Sequence, residues 1–224
     1  MMAPNPNTRS DIECIIFDCD GTLVDSEELG LEAFRQTLSA HGVSISLNEL
    51  KVEYQGQKIH NTIRYVFQQH GKEISEEGIE PFITMFRATS KALFEQELTL
   101  IDGANEVLHY AHAKGIKVCI ASNGPYVKMK TSLKVTGLDK FFTRNNTFSA
   151  FDVDSWKPEP DLIWYSAKKM NVDKDKCLFV DDTVIGATAG VNAKVKTLYL
   201  QHEGNPSMSN VITINNLKET LNYL

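Results

Sequence analysis

The feature that most constrains this chain is a short apolar run at residues 12–17 that stops at two carboxylates, Asp18 and Asp20, followed by Gly21. A continuous apolar run of that length reads as a strand buried on both faces, the form strands take in a parallel sheet covered by helices. Side chains alternate along an extended chain, so Asp18 and Asp20 fall on the same side. Two acids placed there repel unless a cation or a shared proton sits between them. Gly21 permits a sharp bend just after them, and Leu23 and Val24 add a second small apolar patch. Taken alone, the stretch suits an ordinary strand and Asp-Gly turn equally well. The rest of the chain separates the two readings.

Ser26 is placed to cap a helix, with Glu27 and Glu28 in the first turn, where acids suit the positive helix end. Leu31, Phe34, Leu38 and His41 follow at helical spacing, and Gly42 ends the pattern. Ser46 and Glu49 match a capping box for a second, short helix, broken at residues 54–58. Ile59, Ile63, Val66 and Phe67 mark a third helix. A fourth starts after Ser75 and carries Ile79, Phe82, Ile83 and Phe86, with Pro81 expected in its first turn, where proline is tolerated. Residues 27–98 therefore read as a small helical bundle inserted into something else.

From residue 101 the pattern changes. Helices expected at 104–114, 126–136, 161–170 and 186–192 alternate with strands at 116–121, 147–149, 177–180, 195–200 and 211–214, before a last helix from Leu217. That alternation predicts an α/β fold, a Rossmann-like parallel sheet with helices on both faces. The sheet domain is expected from residues 11–26 and 99–224, interrupted by the helical bundle. Residues 1–10 are polar, hold two prolines, and are expected to form a disordered tail rather than a signal peptide.

Bulk properties narrow the partners. Hydrophobic residues make up 42% of the 224, enough for a substantial core, and a net charge of -6 argues against a nucleic-acid surface. No stretch reaches the length of a membrane-spanning helix. Cys14, Cys19, Cys119 and Cys177 form no C-x-x-C pair and read as small buried apolar residues in a reducing compartment, so the cytoplasm is the expected location. His109 and His112 share a helix face, but no further metal ligand lies near them, and they read as surface. A monomer is expected, with a dimer left open.

In an open parallel sheet, ligands sit at the carboxyl ends of the strands. Those ends hold Asp18 and Asp20, then Ser122-Asn123-Gly124, then Trp156-Lys157-Pro158, then Asp181-Asp182-Thr183 with Gly186 opening the next helix. Each is a plausible turn or cap by itself; four in succession are a site. Several converging carboxylates ask for a hard cation with oxygen ligands, most simply Mg²⁺. A lysine, a hydroxyl and backbone N–H groups near a helix start hold an anion. Cation, anion cradle and a carboxylate nucleophile together equip a site for phosphoryl transfer. Asp18 and Asp20 are the pair placed to divide nucleophilic and acid–base work.

These residues resemble the haloacid dehalogenase superfamily, with its four motifs in order. Asp18-Cys19-Asp20-Gly21-Thr22-Leu23-Val24 resembles motif I, Ser122-Asn123-Gly124 motif II, Lys157-Pro158 motif III, and Val180-Asp181-Asp182-Thr183 with Gly186 motif IV. The insert at 27–98 matches the position of the C1 cap in that family. The resemblance implies Asp18 as nucleophile and Asp20 as general acid/base. It implies Mg²⁺ held by Asp18, the main-chain carbonyl of Asp20 and Asp182, with Asp181 in support. Ser122 and the Asn123 backbone are implied to bind phosphoryl oxygens, and Lys157 to neutralise nucleophile and phosphate.

Asp20 speaks against a dehalogenase, which usually lacks the second acid. The family's mutases carry a histidine about a dozen residues after the nucleophile, where this chain has Gly30, so a hydrolase is favoured. The reading is a Mg²⁺-dependent phosphomonoesterase working through an aspartyl-phosphate on a small sugar phosphate or sugar-acid phosphate such as 6-phosphogluconate. The alternatives are a β-phosphoglucomutase-type phosphotransferase and a non-catalytic sugar-phosphate-binding protein. Lys58, at the break between cap helices, with His60 and Arg64, are the candidate specificity residues; the alternative is that all three are ordinary surface side chains.

Overall fold

The apolar run at the start of the chain becomes the centre of a sheet. In the computed structural model, which describes residues 11–53 and 59–224, β1 (Cys14–Phe17) is one of six parallel strands. The others are β2 (Lys117–Ser122), β3 (Thr147–Ser149), β4 (Cys177–Asp181), β5 (Lys196–Leu200) and β6 (Ile212–Ile214). Their order is β3-β2-β1-β4-β5-β6. The chain winds outward from β1 in one direction, then returns and winds outward in the other. That reversal opens a crevice at the carboxyl ends of β1 and its neighbours. Phe17 is level with Ile120 on one side and Val180 on the other, and the Asp18 N–H donates to the Val180 carbonyl at 2.9 Å. The residues just past β1, β2 and β4 therefore emerge side by side.

Both faces of the central strands are buried, which is why they read as unbroken apolar runs. Cys14, Ile16, Cys119, Cys177 and Phe179 form one core with Leu162 and Ile163 of α7 (Asp161–Lys169) and Ala189 and Ala193 of α8 (Val184–Ala193). The alternate residues Ile15, Phe17, Ile120, Leu178 and Val180 are equally inaccessible. Each such side chain contributes about 1.5–3 kcal/mol by leaving water. Helices α5 (Ala104–Lys114) and α6 (Tyr126–Val135) connect β1's side of the chain to β2 and β2 to β3. His109 and His112 of α5 pack edge-on against Phe141, with ring centroids at 5.1 and 6.5 Å.

The chain divides into two compact units, one of them Ser26–Leu98. That unit holds α1 (Glu27–Ala40), α2 (Leu47–Glu53), α3 (Ile59–Gln69) and α4 (Glu76–Glu97). Its own core centres on Phe34, Phe67 and Phe82, packed edge to face with centroids 5.5 and 5.9 Å apart. The Ser46–Glu49 capping box forms, each side chain taking the other's backbone N–H at 3.3 and 2.9 Å. Two local expectations fail. Ser26 precedes α1 without a side-chain cap bond, because its backbone already has helical angles (φ -104°, ψ -6°). Pro81 lies in the second turn of α4, not the first, so it deletes the N–H that would bond the Glu77 carbonyl. The final segment, Leu217–Tyr223, is a 3₁₀ helix.

The insert leaves and re-enters the sheet unit through neighbouring backbone. Asp25 N–H donates to the Thr99 carbonyl at 3.0 Å and Ile101 N–H to the Leu23 carbonyl at 3.0 Å, with Val24 and Leu100 bridged antiparallel. Among the described residues, no helix is long and apolar enough to cross a membrane. The expected tail at 1–10 and Lys58 lie outside the described residues.

Candidate active site

Asp18 is the first residue beyond β1 and is almost fully buried. Lys157, from the loop between β3 and α7, reaches it with Nζ 2.5 Å from Oδ1, and the same ammonium lies 2.7 Å from Asp181 Oδ2 at the end of β4. One cation thus bridges two carboxylates inside the protein, its side chain only 4% exposed. Burial alone would push the Lys157 ammonium down, but Asp18 and Asp181 hold it well above the usual lysine value. Burial pushes the Asp18 carboxyl up to about 7; Lys157 pulls against it, while Asp181 and Asp20 add to it.

The pair after β4 divides into two roles. Asp181 spends its second oxygen on Thr183, accepting from the backbone N–H at 2.9 Å and the hydroxyl at 2.7 Å. Thr183 also caps α8, taking the Gly186 N–H at 2.9 Å. Gly186 has to be glycine: a Cβ there would sit 1.9 Å from the Asp181 carboxylate. Asp182 faces the other way. Its Oδ1 accepts from the Thr22 hydroxyl at 2.7 Å, and the backbone of Gly21 approaches so closely that a Cβ would lie 2.2 Å from Oδ2. Burial first, then the charges of Asp181 and Asp18, push the Asp182 carboxyl well up. Among the described residues no lysine or arginine pairs with it.

The residues expected to cradle an anion lie at the ends of β2 and β3. Ser122 is buried at the end of β2 and its Oγ accepts the Gly124 N–H at 3.1 Å. The Asn123 side chain clasps the backbone of Lys157, accepting from its N–H at 2.8 Å and donating to its carbonyl at 3.2 Å. Ser149 at the end of β3 donates to the Gly124 carbonyl at 2.7 Å. The loops after β2 and β3 are thereby locked together with Lys157 between them.

Asp20 follows Asp18 at the mouth of the crevice and is more exposed. Sequence reading missed its partner: Lys128, in the first turn of α6, with Nζ 2.8 Å from Asp20 Oδ2. His202, after β5, was missed too; its Nε2 lies 2.6 Å from the Gly21 carbonyl, so that nitrogen carries the proton. Neither has a local signal, since both pairings join distant parts of the chain. Cys19, between the acids, is fully buried, and burial with the flanking Asp20 and Asp18 charges pushes its thiol well up, leaving it protonated. Within the inserted unit, Arg64 makes a two-pronged bond to Glu76 at 3.0 and 2.5 Å, and His60 lies 3.3 Å from Glu80.

Among the described residues, no three acidic, histidine or cysteine side chains close into a ready-made metal cage. Magnesium does not require one, because it keeps several waters and rests on one or two carboxylates together with substrate phosphate. Asp18 and Asp182 fit that role. Both are buried, both supply oxygen, the Asp18 charge helps raise the proton affinity of Asp182, and among the described residues Asp182 has no lysine or arginine of its own. Asp181, with both oxygens engaged by Lys157 and Thr183, braces the site from behind.

Comparison with known proteins shows the family. A profile for haloacid dehalogenase-like hydrolases matches residues 15–200. The chain is 35% identical over 190 residues to 6-phosphogluconate phosphatase of Escherichia coli (strain K12), covering 85% of this chain and 83% of that one. It is 25% identical over 194 residues to phosphorylated carbohydrates phosphatase of Thermotoga maritima, covering 84% of each. Among solved structures, a predicted phosphoglycolate phosphatase of Haemophilus somnus shares the fold with a TM-score of 0.85 over 96% of this chain and 99% of that one, at 20% identity.

Proposed function

Because the chain belongs to the haloacid dehalogenase-like hydrolases, we propose that it is a Mg²⁺-dependent phosphomonoesterase acting on a small phosphorylated sugar or sugar acid, with 6-phosphogluconate the first substrate to test. The observation that carries the reading is the buried Asp18–Lys157–Asp181 bridge at the mouth of an anion cradle. The two curated relatives, both phosphatases of phosphorylated carbohydrates by name, support the substrate class.

Asp18 attacks phosphorus, forming an aspartyl-phosphate as the bond to the leaving oxygen breaks. Asp20 gives its proton to that oxygen, so that an alcohol departs, then takes a proton from the water that attacks the acyl-phosphate and releases inorganic phosphate. Lys157, Ser122 and the N–H groups after β2 hold the phosphoryl oxygens while charge moves across them. When bound, Mg²⁺ held by Asp18, Asp182 and the Asp20 carbonyl supplies positive charge that keeps Asp18 ionised and balances the phosphoryl group. Selection of the alcohol portion falls to the inserted helical unit. The four cysteines, all buried as free thiols, suit the cytoplasm.

The test is phosphate release by the purified protein with Mg²⁺ from an aryl phosphate and from a panel of sugar and sugar-acid phosphates. Asp18→Asn abolishes release in every case. Turnover that survives this change refutes the nucleophile, and no turnover by the unaltered protein refutes the activity.

A further inference from the structure

We propose that Lys128 is a positioning residue for Asp20, fixing the carboxyl from which the leaving alcohol takes its proton. The inference rests on the phosphatase reading above. The backbone around Asp20 is held by a tight turn: Gly21 N–H donates to the Val24 carbonyl at 2.8 Å, and Leu23 and Val24 N–H both donate to the Cys19 carbonyl at 2.9 and 3.1 Å. That turn sets where the Asp20 side chain starts, not where it ends. With its side chain 26% exposed at a crevice mouth, Asp20 needs a second point of attachment to keep one rotamer.

Lys128 supplies that point. Its Nζ lies 2.8 Å from Oδ2. The same oxygen borders Gly124, where a Cβ would be 3.7 Å from it and 3.4 Å from the Ser122 hydroxyl. Oδ2 is thus fixed between the start of α6 and the cradle that would hold the phosphoryl group. Lys128 is itself held by its helix, because the next residue, Met129, is fully buried, and the Lys128 N–H bonds the Pro125 carbonyl at 3.0 Å. With Lys128 39% exposed, the pair is too wet to add much to stability. Its effect is geometric, and a displaced proton donor costs rate even when binding is intact.

A merely structural role would lower all substrates alike. Loss of a positioned acid hurts poor leaving groups and spares good ones, since a nitrophenolate departs without a proton and an alkoxide does not. The experiment compares kcat/KM, which reports steps up to the first irreversible one, for 4-nitrophenyl phosphate and for the best alkyl phosphate of the wild-type screen. In Lys128→Met the alkyl-to-aryl ratio falls by about 10–100-fold, a part of the 10²–10⁴-fold that general acid catalysis supplies. Lys128→Arg restores most of the ratio. Equal loss on both substrates, or no loss on either, overturns the assignment of Lys128 while leaving the phosphatase reading intact. Absence of turnover in the unaltered protein overturns both.

Discussion

Replacing Lys157 by methionine keeps an unbranched side chain and removes the ammonium, both its charge and its hydrogen bonds to Asp18 and Asp181. In the structure that charge lies 2.5 and 2.7 Å from Asp18 and Asp181, with all three side chains buried. Breaking a buried ion pair by deleting one partner costs about 3–5 kcal/mol, because the remaining charge is left without compensation. For a chain of this length, that lowers the melting temperature by roughly 10 °C. The pH dependence follows from Asp18, whose folded value lies above its ordinary 3.8, near 7. A carboxyl raised in the fold stabilises it at low pH, and that contribution is lost as pH rises through the folded value. Lys157 is the charge that limits this rise, so its removal is felt most above neutrality and least in acid, where Asp18 carries its proton. Thermal melting in chelator, from about pH 5 to about pH 8, measures the difference. A loss below about 1 kcal/mol at the alkaline end, the worth of a surface pair, refutes the reasoning. So does a loss that is equal at both ends.

Gly186→Ala destabilises by about 1–3 kcal/mol or more, because the new methyl meets the Asp181 carboxylate at 1.9 Å; phosphate release falls with it. Gly30→Ala, in α1 with nothing within 4 Å of the new methyl, stabilises by about 0.5–1 kcal/mol, and chemical denaturation of the two variants checks the contrast. Saturating Mg²⁺ raises the melting temperature at neutral pH, by about 2.7 kcal/mol of stability at a hundred times its dissociation constant. Asp182→Ala removes that shift, and a variant that keeps it in full places the cation elsewhere.

What could be read from the sequence followed the range over which each interaction acts. The central strands were legible because burial on both faces leaves an unbroken apolar run, as at Cys14–Phe17 and Cys177–Asp181. The Ser46–Glu49 box was legible because both partners lie within one turn. The start of α4 after Ser75 was also legible, yet Pro81, six residues into the helix, lies beyond the first turn where proline is tolerated. The residues past β1, β2 and β4 could be named from the strand pattern, and the sheet brings them out side by side. Which side chain meets which was not visible there. Thr22 on Asp182, His202 on the Gly21 carbonyl, Lys128 on Asp20 and the Asn123 clasp on Lys157 all depend on strand order and register. Periodicity carries neither.

The paired backbone at Leu23–Asp25 and Thr99–Ile101 has a consequence for how such a chain can change over time. The two ends of the inserted unit are bonded to each other by the sheet unit itself. Whatever lies between them enters and leaves through one clip, and the cost of closing a longer or shorter segment varies only with the logarithm of its length. Residues 26–98 thus behave as an exchangeable cassette. It can be lengthened, rebuilt or replaced without altering the order of a single strand, so the sheet and the residues at its strand ends can stay as they are while the insert varies.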